Sequence, residues 1–101
     1  MGYYTRYSLE IMPEPSNELL EEQVYGISIM DLMYDDSNSM KWYSHEKDMT
    51  ELSTAYPGYT FILDGDGEDA GDVWRSFYKN GKHYDWKLKF ERPDFDELKL
   101  R

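Results

Sequence analysis

The residues with the most evident capacity for chemistry lie between Asp64 and Asp72, where Asp64, Asp66, Glu68, Asp69 and Asp72 are interleaved with Gly65, Gly67 and Gly71. Carboxylates at alternate positions with glycines between them can wrap a hard cation such as calcium or magnesium. An EF-hand loop further requires glycine at its sixth position and glutamate at its twelfth. Counted from Asp64, those positions hold Asp69 and Arg75. The stretch therefore reads as a solvated acidic loop suited to a partner, with a looser cation site as the alternative, and no metal is assigned. Asp64, Asp66, Glu68 and Asp69 stand as candidate binding carboxylates.

Tyr43-Ser44-His45-Glu46 sets a hydroxyl, an imidazole and a carboxylate side by side. Adjacency in sequence is not a triad, because a nucleophile and its base must converge in space. A serine that starts a helix also gives its oxygen to backbone N–H groups. His83 is expected beside a hairpin turn, facing Tyr78. Twenty-one acids offer too many carboxylate pairs for glycoside chemistry to be read from them. The sequence holds no phosphate loop, dinucleotide fingerprint, HExxH or nucleophile elbow. No catalytic residue and no cofactor is assigned, and the expectation is a protein that is not an enzyme.

The charge itself is the stronger signal. Asp and Glu number 21 against 11 Lys and Arg, a net charge of −10, which opposes direct binding to nucleic acid or to anionic lipid. Residues 1–70 hold fifteen acids and three bases, a net of −12, and residues 71–101 hold six acids and eight bases, a net of +2. Glu21 with Glu22 and Asp35 with Asp36 therefore join the candidate binding carboxylates. The absence of cysteine excludes disulfides, thiol catalysis and Cys-ligated zinc. No uncharged run approaches the ~20 residues of a membrane helix, and no basic stretch leads into an apolar one at the N-terminus, so a cytoplasmic protein is expected.

Ten tyrosines and three tryptophans form the second excess. Trp86 and Tyr84 are expected in the core. Trp74 and Tyr78 are expected on the opposite face of the same hairpin with Lys87 and Lys89, as partner anchors of the kind interfaces favour. A second helix layer over that face would cancel this role. An RRM-like reading of the aromatics fails, because the glycine-aromatic pattern it needs is missing.

These side chains have to be placed by one domain, since 101 residues of which 40 % are hydrophobic suffice for a single core. Residues Tyr3 to Met12 alternate as a half-buried strand, with Tyr3, Tyr7, Leu9 and Ile11 on one side. Pro13 and Pro15 end it, and Ser16 or Asn17 caps a helix carrying Glu18, Glu21 and Glu22 in its first turns, with Leu19, Leu20 and Val24 inward. Residues 26–34 admit two readings, a helix that stops at Gly26 before a strand over Ile27 to Met30 or one that runs on to Tyr34, and the helix is preferred. Met40 to Tyr43 fits a short strand, Ser44 caps a helix with Met49, Leu52 and Tyr56 on one stripe, and Tyr59 to Leu63 is a strand.

Asn80-Gly81 between two alternating runs marks a two-residue hairpin turn. Counting outward pairs Lys79 with Lys82, Phe77 with Tyr84, Arg75 with Trp86 and Val73 with Leu88 on what is taken as the core face, continued by Phe90. Pro93 ends the strand, and residues 94–101 are left as a frayed tail. The fold class is α+β, an antiparallel-rich sheet with two helices on one face and a C-terminal β-hairpin, in the neighbourhood of the ferredoxin-like sandwiches.

Lys41-Trp42-Tyr43-Ser44-His45-Glu46-Lys47-Asp48-Met49, with Tyr56-Pro57, Phe61-Ile62-Leu63, Gly67-Glu68, Gly71-Asp72-Val73-Trp74 and Lys79-Asn80-Gly81-Lys82, resembles a family of small acidic proteins encoded by bacteriophages and other mobile elements. The resemblance implies a setting in which such proteins bind and block a host protein, nucleases and CRISPR effectors included, at times by imitating the charge of DNA. The expected function is a binding module for a host protein with a basic surface. The alternative is a general interaction or structural domain whose acidity serves solubility.

Overall fold

The structure is a computed structural model and describes residues 4–35, 38–69 and 71–87. Strand β1 (Thr5–Met12) buries Thr5, Tyr7, Leu9 and Ile11 and exposes the residues between them. Helix α1 (Asn17–Glu21) follows, capped by Ser16, whose Oγ accepts from the Leu19 N–H. A two-residue hairpin, β2 (Gln23–Val24) and β3 (Ile27–Ser28), turns at Tyr25 and Gly26, both at positive φ. Helix α2 (Ile29–Tyr34), the short strand β4 (Ser39–Met40) and helix α3 (His45–Ala55) come next. Strands β5 (Thr60–Gly67), β6 (Val73–Lys79) and β7 (Lys82–Lys87) complete the order.

The main sheet has five strands in the order β4-β1-β5-β6-β7, and its pairings are antiparallel. The α+β class with an antiparallel sheet is as expected, while the element order departs from the ferredoxin-like β-α-β-β-α-β. Three helices are present among the described residues where two were expected. Residues 26–34 combine the two readings of that stretch. Gly26 turns the chain at φ 77, Ile27 and Ser28 pair back on β2, and Ser28 then caps α2, its Oγ accepting from the Asp31 N–H at 3.1 Å. A capping serine after a positive-φ glycine starts a new helix where spacing alone suggested a continuing one.

Register sorts the sheet into rows. On the covered face Ile11, Phe61 and Tyr78 form one row, Leu9, Leu63 and Ser76 a second, and Tyr7, Gly65 and Trp74 a third. Helices α2 and α3 pack on this face, α2 against β1 and α3 against β6, β5 and β7. Leu19, Ile29, Leu32, Met49 and Leu52 close the core over it. On the outer face the rows are Glu10, Ile62, Phe77 and Tyr84, then Ser8, Asp64, Arg75 and Trp86, then Arg6, Asp66 and Val73.

The Asn80-Gly81 turn forms as expected, at φ 49 and 76, and the pairs Lys79–Lys82, Phe77–Tyr84 and Arg75–Trp86 are observed. The face assigned to the core is the opposite one. Tyr78 is 1 % exposed, whereas Tyr84 is 66 % and Trp86 55 % exposed. Both faces of the hairpin carry aromatics, so a period of two fixes which residues travel together but not which set meets the helices. The pairing of Val73 with Leu88, the continuation to Phe90 and the tail 94–101 lie outside the described residues.

Candidate functional site

Asp64 and Asp66 lie on β5 itself, so the anticipated loop begins as strand, through Gly67. Cross-strand pairing places Arg75 opposite Asp64 and Arg6 opposite Asp66. Arg75 donates to Asp64 through Nε at 2.6 Å and Nη2 at 3.0 Å, the bidentate fork that arginine forms with a carboxylate. Arg6 Nη2 donates to Asp66 at 3.2 Å. Glu68 accepts from the Tyr4 N–H at 2.8 Å, and the Asp69 carbonyl accepts from the Asp72 N–H at 3.1 Å. Of the carboxylates that suggested a cation loop, Asp64, Asp66 and Glu68 thus accept from Arg75, Arg6 and the Tyr4 N–H. Among the described residues no group of three or more His, Asp or Glu side chains is placed to hold a metal ion.

The helical layer differs. Glu18 and Glu21 are exposed on α1, and Glu22 directly follows it. Across from them α3 presents Asp48 and Glu51, and Glu22, Tyr25, Asp48, Glu51 and Leu52 line one groove of about 330 Å³. Tyr56 donates its hydroxyl to Glu22 at 3.1 Å, joining the end of α3 to the end of α1. Asp48 accepts from Trp42 Nε1 at 2.6 Å and from Ser44 Oγ at 3.0 Å. Among the described residues no Lys or Arg forms an ion pair with Glu18, Glu21, Glu22 or Glu51; the pairs present are Arg6–Asp66, Arg75–Asp64 and His83–Glu46. Asp35 is exposed at the end of α2, its carbonyl accepting from the Asn38 side chain at 2.7 Å, and Asp36 lies outside the described residues.

Trp74 and Tyr78 are not exposed anchors, because α3 covers their face. Tyr78 is sealed between the sheet and the helix, its hydroxyl without a hydrogen bond among the described residues, while the neighbouring Ser76 donates to Asp85 at 2.7 Å. Burial pushes that phenol up to about 12. Trp74 is half-buried and stacks on His45 with ring centroids 4.6 Å apart. Burial in this aromatic pocket pushes His45 below its ordinary value against smaller opposing effects of Glu46, Asp85 and Asp48. Ser44 makes no cap bond and turns to Asp48, His45 to Trp74, and Glu46 to His83 at 2.9 Å. The three neighbours that could resemble a hydrolytic set therefore serve three different partners.

The outer sheet face carries what the sequence reading put inside. Phe77 and Tyr84 stack at 4.7 Å and 19°. With Val73 and Trp86 they line an open cleft of about 720 Å³, bounded by Ser8 and the Asp64–Arg75 pair. No helix among the described residues is long and apolar enough to cross a membrane.

Comparison with known protein families, with curated proteins and with solved structures returns no match for this chain.

Proposed function

We propose that this chain is a non-enzymatic binding module whose acidic helical layer occupies a basic, nucleic-acid-binding surface of a partner protein, in the manner of a phage-type inhibitor. The observation that carries the reading is the sorting of the carboxylates. Those of β5 are neutralised by Arg75 and Arg6, whereas Glu18 and Glu21 on α1, Glu22 just after it and Glu51 on α3 have no ion pair among the described residues, and Glu22 and Glu51 line one groove. Acids that served solubility alone would be interspersed with bases over the surface. A one-sign patch steers a complementary basic surface and raises its association rate.

Affinity capture from a host lysate at low and at high salt tests the proposal, using the wild-type chain and Glu21→Lys/Glu22→Lys/Glu51→Lys in parallel. The reading requires a basic partner that is released by salt, is missed by the triple variant and sheds a bound DNA fragment when the wild-type protein is added. A partner held equally by the triple variant, or one that keeps its DNA, overturns it.

A further inference from the structure

Charge nearly cancels on one face of this molecule. By the alternation of the strands, Arg6, Arg75, Lys79 and Lys82 share the outer sheet face with Glu10, Asp64 and Asp66, in a chain of net charge −10. The middle of that face is apolar. Ile62, Phe77 and Tyr84 form its central row, Trp86 stands in the next, and α2 and α3 pack on the other side of the sheet. Tyr84 and Trp86 expose 66 % and 55 % of their surface, and interface cores favour such aromatic side chains with arginine near them.

We propose that a second copy of this chain covers this face, the two sheets packing outer face to outer face about a two-fold axis. Two molecules of this charge repel through their helical layers, and only sheet-to-sheet contact leaves both acidic layers outside. Stacked sheets lie ~10 Å apart and each helix layer adds about 10 Å, so the acidic layers stand roughly 30 Å from one another, several screening lengths of about 8 Å at physiological salt. The contact is isologous: the Phe77–Tyr84 stacks and the Trp86 rings meet at its centre, and the Asp64–Arg75 pairs bound it. A basic protein has little to gain on a face of near-zero charge and is drawn to the helical layer. The inference is independent of the proposed function, since it uses other residues and requires no other protein.

Sedimentation equilibrium of the full-length chain from micromolar to near-millimolar concentration, at about 0.15 M and about 0.5 M salt, tests it. The expected species is a dimer of the 12.1 kDa chain that tightens at the higher salt, because screening removes residual repulsion from an apolar contact. Tyr84→Ser and Trp86→Ser each weaken it by roughly tenfold or more, with circular dichroism confirming the unchanged fold that side chains this exposed allow. Glu21→Lys/Glu22→Lys leaves the dimer in place. A monomer at every concentration, its outer face left to the chain's own residues 88–101 or to a different protein, overturns the proposal. So does a dimer indifferent to both serine variants.

Discussion

The indole of Trp74 fills the space in which a side chain at Gly65, its cross-strand partner, would stand; a Cβ there would overlap Cε2 and Cζ2 of the ring. The glycine is what lets the tryptophan lie across β5 and reach Tyr7, at a centroid distance of 6.0 Å, and His45, at 4.6 Å. Through that stack the first turn of α3 is fastened to the sheet, and α3 in turn presents Asp48 and Glu51 to the acidic groove.

Gly65→Ala should therefore displace Trp74 and destabilise the fold by ~1–3 kcal/mol, the usual cost of overpacking. Urea titration followed by tryptophan fluorescence measures it, and midpoints equal to wild type would refute the close approach.

Stability should fall as the solution is acidified through the ordinary histidine range. His45 is held below its ordinary value by burial, so the unfolded chain takes up the proton first. Its contribution is fully present above the unfolded value of about 6.5 and is lost as pH drops toward the lower folded value. Denaturation midpoints at about pH 7.5 and about pH 5.5 should show this decline in wild type and a smaller one in His45→Gln. An equal decline in the variant would assign it elsewhere.

Tyr78→Phe should cost nothing and can gain up to about 1 kcal/mol, because it removes a buried hydroxyl that has no hydrogen bond while keeping the ring's packing. Differential scanning calorimetry reads the outcome. A fall of several degrees would reveal a bond to that oxygen.

Gly81→Val should destabilise by ~1–3 kcal/mol. Gly81 sits at φ 76, and a Cβ there would lie 2.7 Å from Thr54 Oγ1. Its N–H also donates to Ser53 Oγ at 3.0 Å, tying the hairpin tip to α3. Chemical denaturation of the two proteins compares them directly, and equal midpoints would contradict the turn geometry.

The hairpin was legible because Asn80-Gly81 dictates its own backbone and the register follows by counting. Which face of it is buried was not legible from the hairpin alone, since Phe77, Tyr84 and Trp86 are as apolar as Trp74 and Tyr78. The deciding signal lies two strands away: Tyr78 shares a row with Phe61 and Ile11, whereas Trp86 shares one with Ser8 and Asp64. Only the pairing of β5 with β6 joins those rows. Asp64 and Asp66 looked like loop ligands for the same reason, since only strand pairing sets Arg75 opposite Asp64 and the remote Arg6 opposite Asp66. Glu21 and Glu22 stand out as a charge run, but Glu51 meets Glu22 only across the groove that α3 forms with the β2 hairpin, and an isolated acid on a helix carries no such mark.

Steering by the acidic helical layer is read from the association rate constant between this protein and a basic partner identified by capture, measured by stopped flow across a salt series. Glu21→Lys/Glu22→Lys/Glu51→Lys should slow association by roughly tenfold or more and flatten its salt dependence, because the helical layer supplies the steering charge. Asp66→Asn, whose carboxylate is already neutralised by Arg6 at 3.2 Å, should leave the rate within about twofold of wild type. An unchanged rate for the helical variant, or a larger loss for Asp66→Asn, would show that the helical layer does not steer the partner.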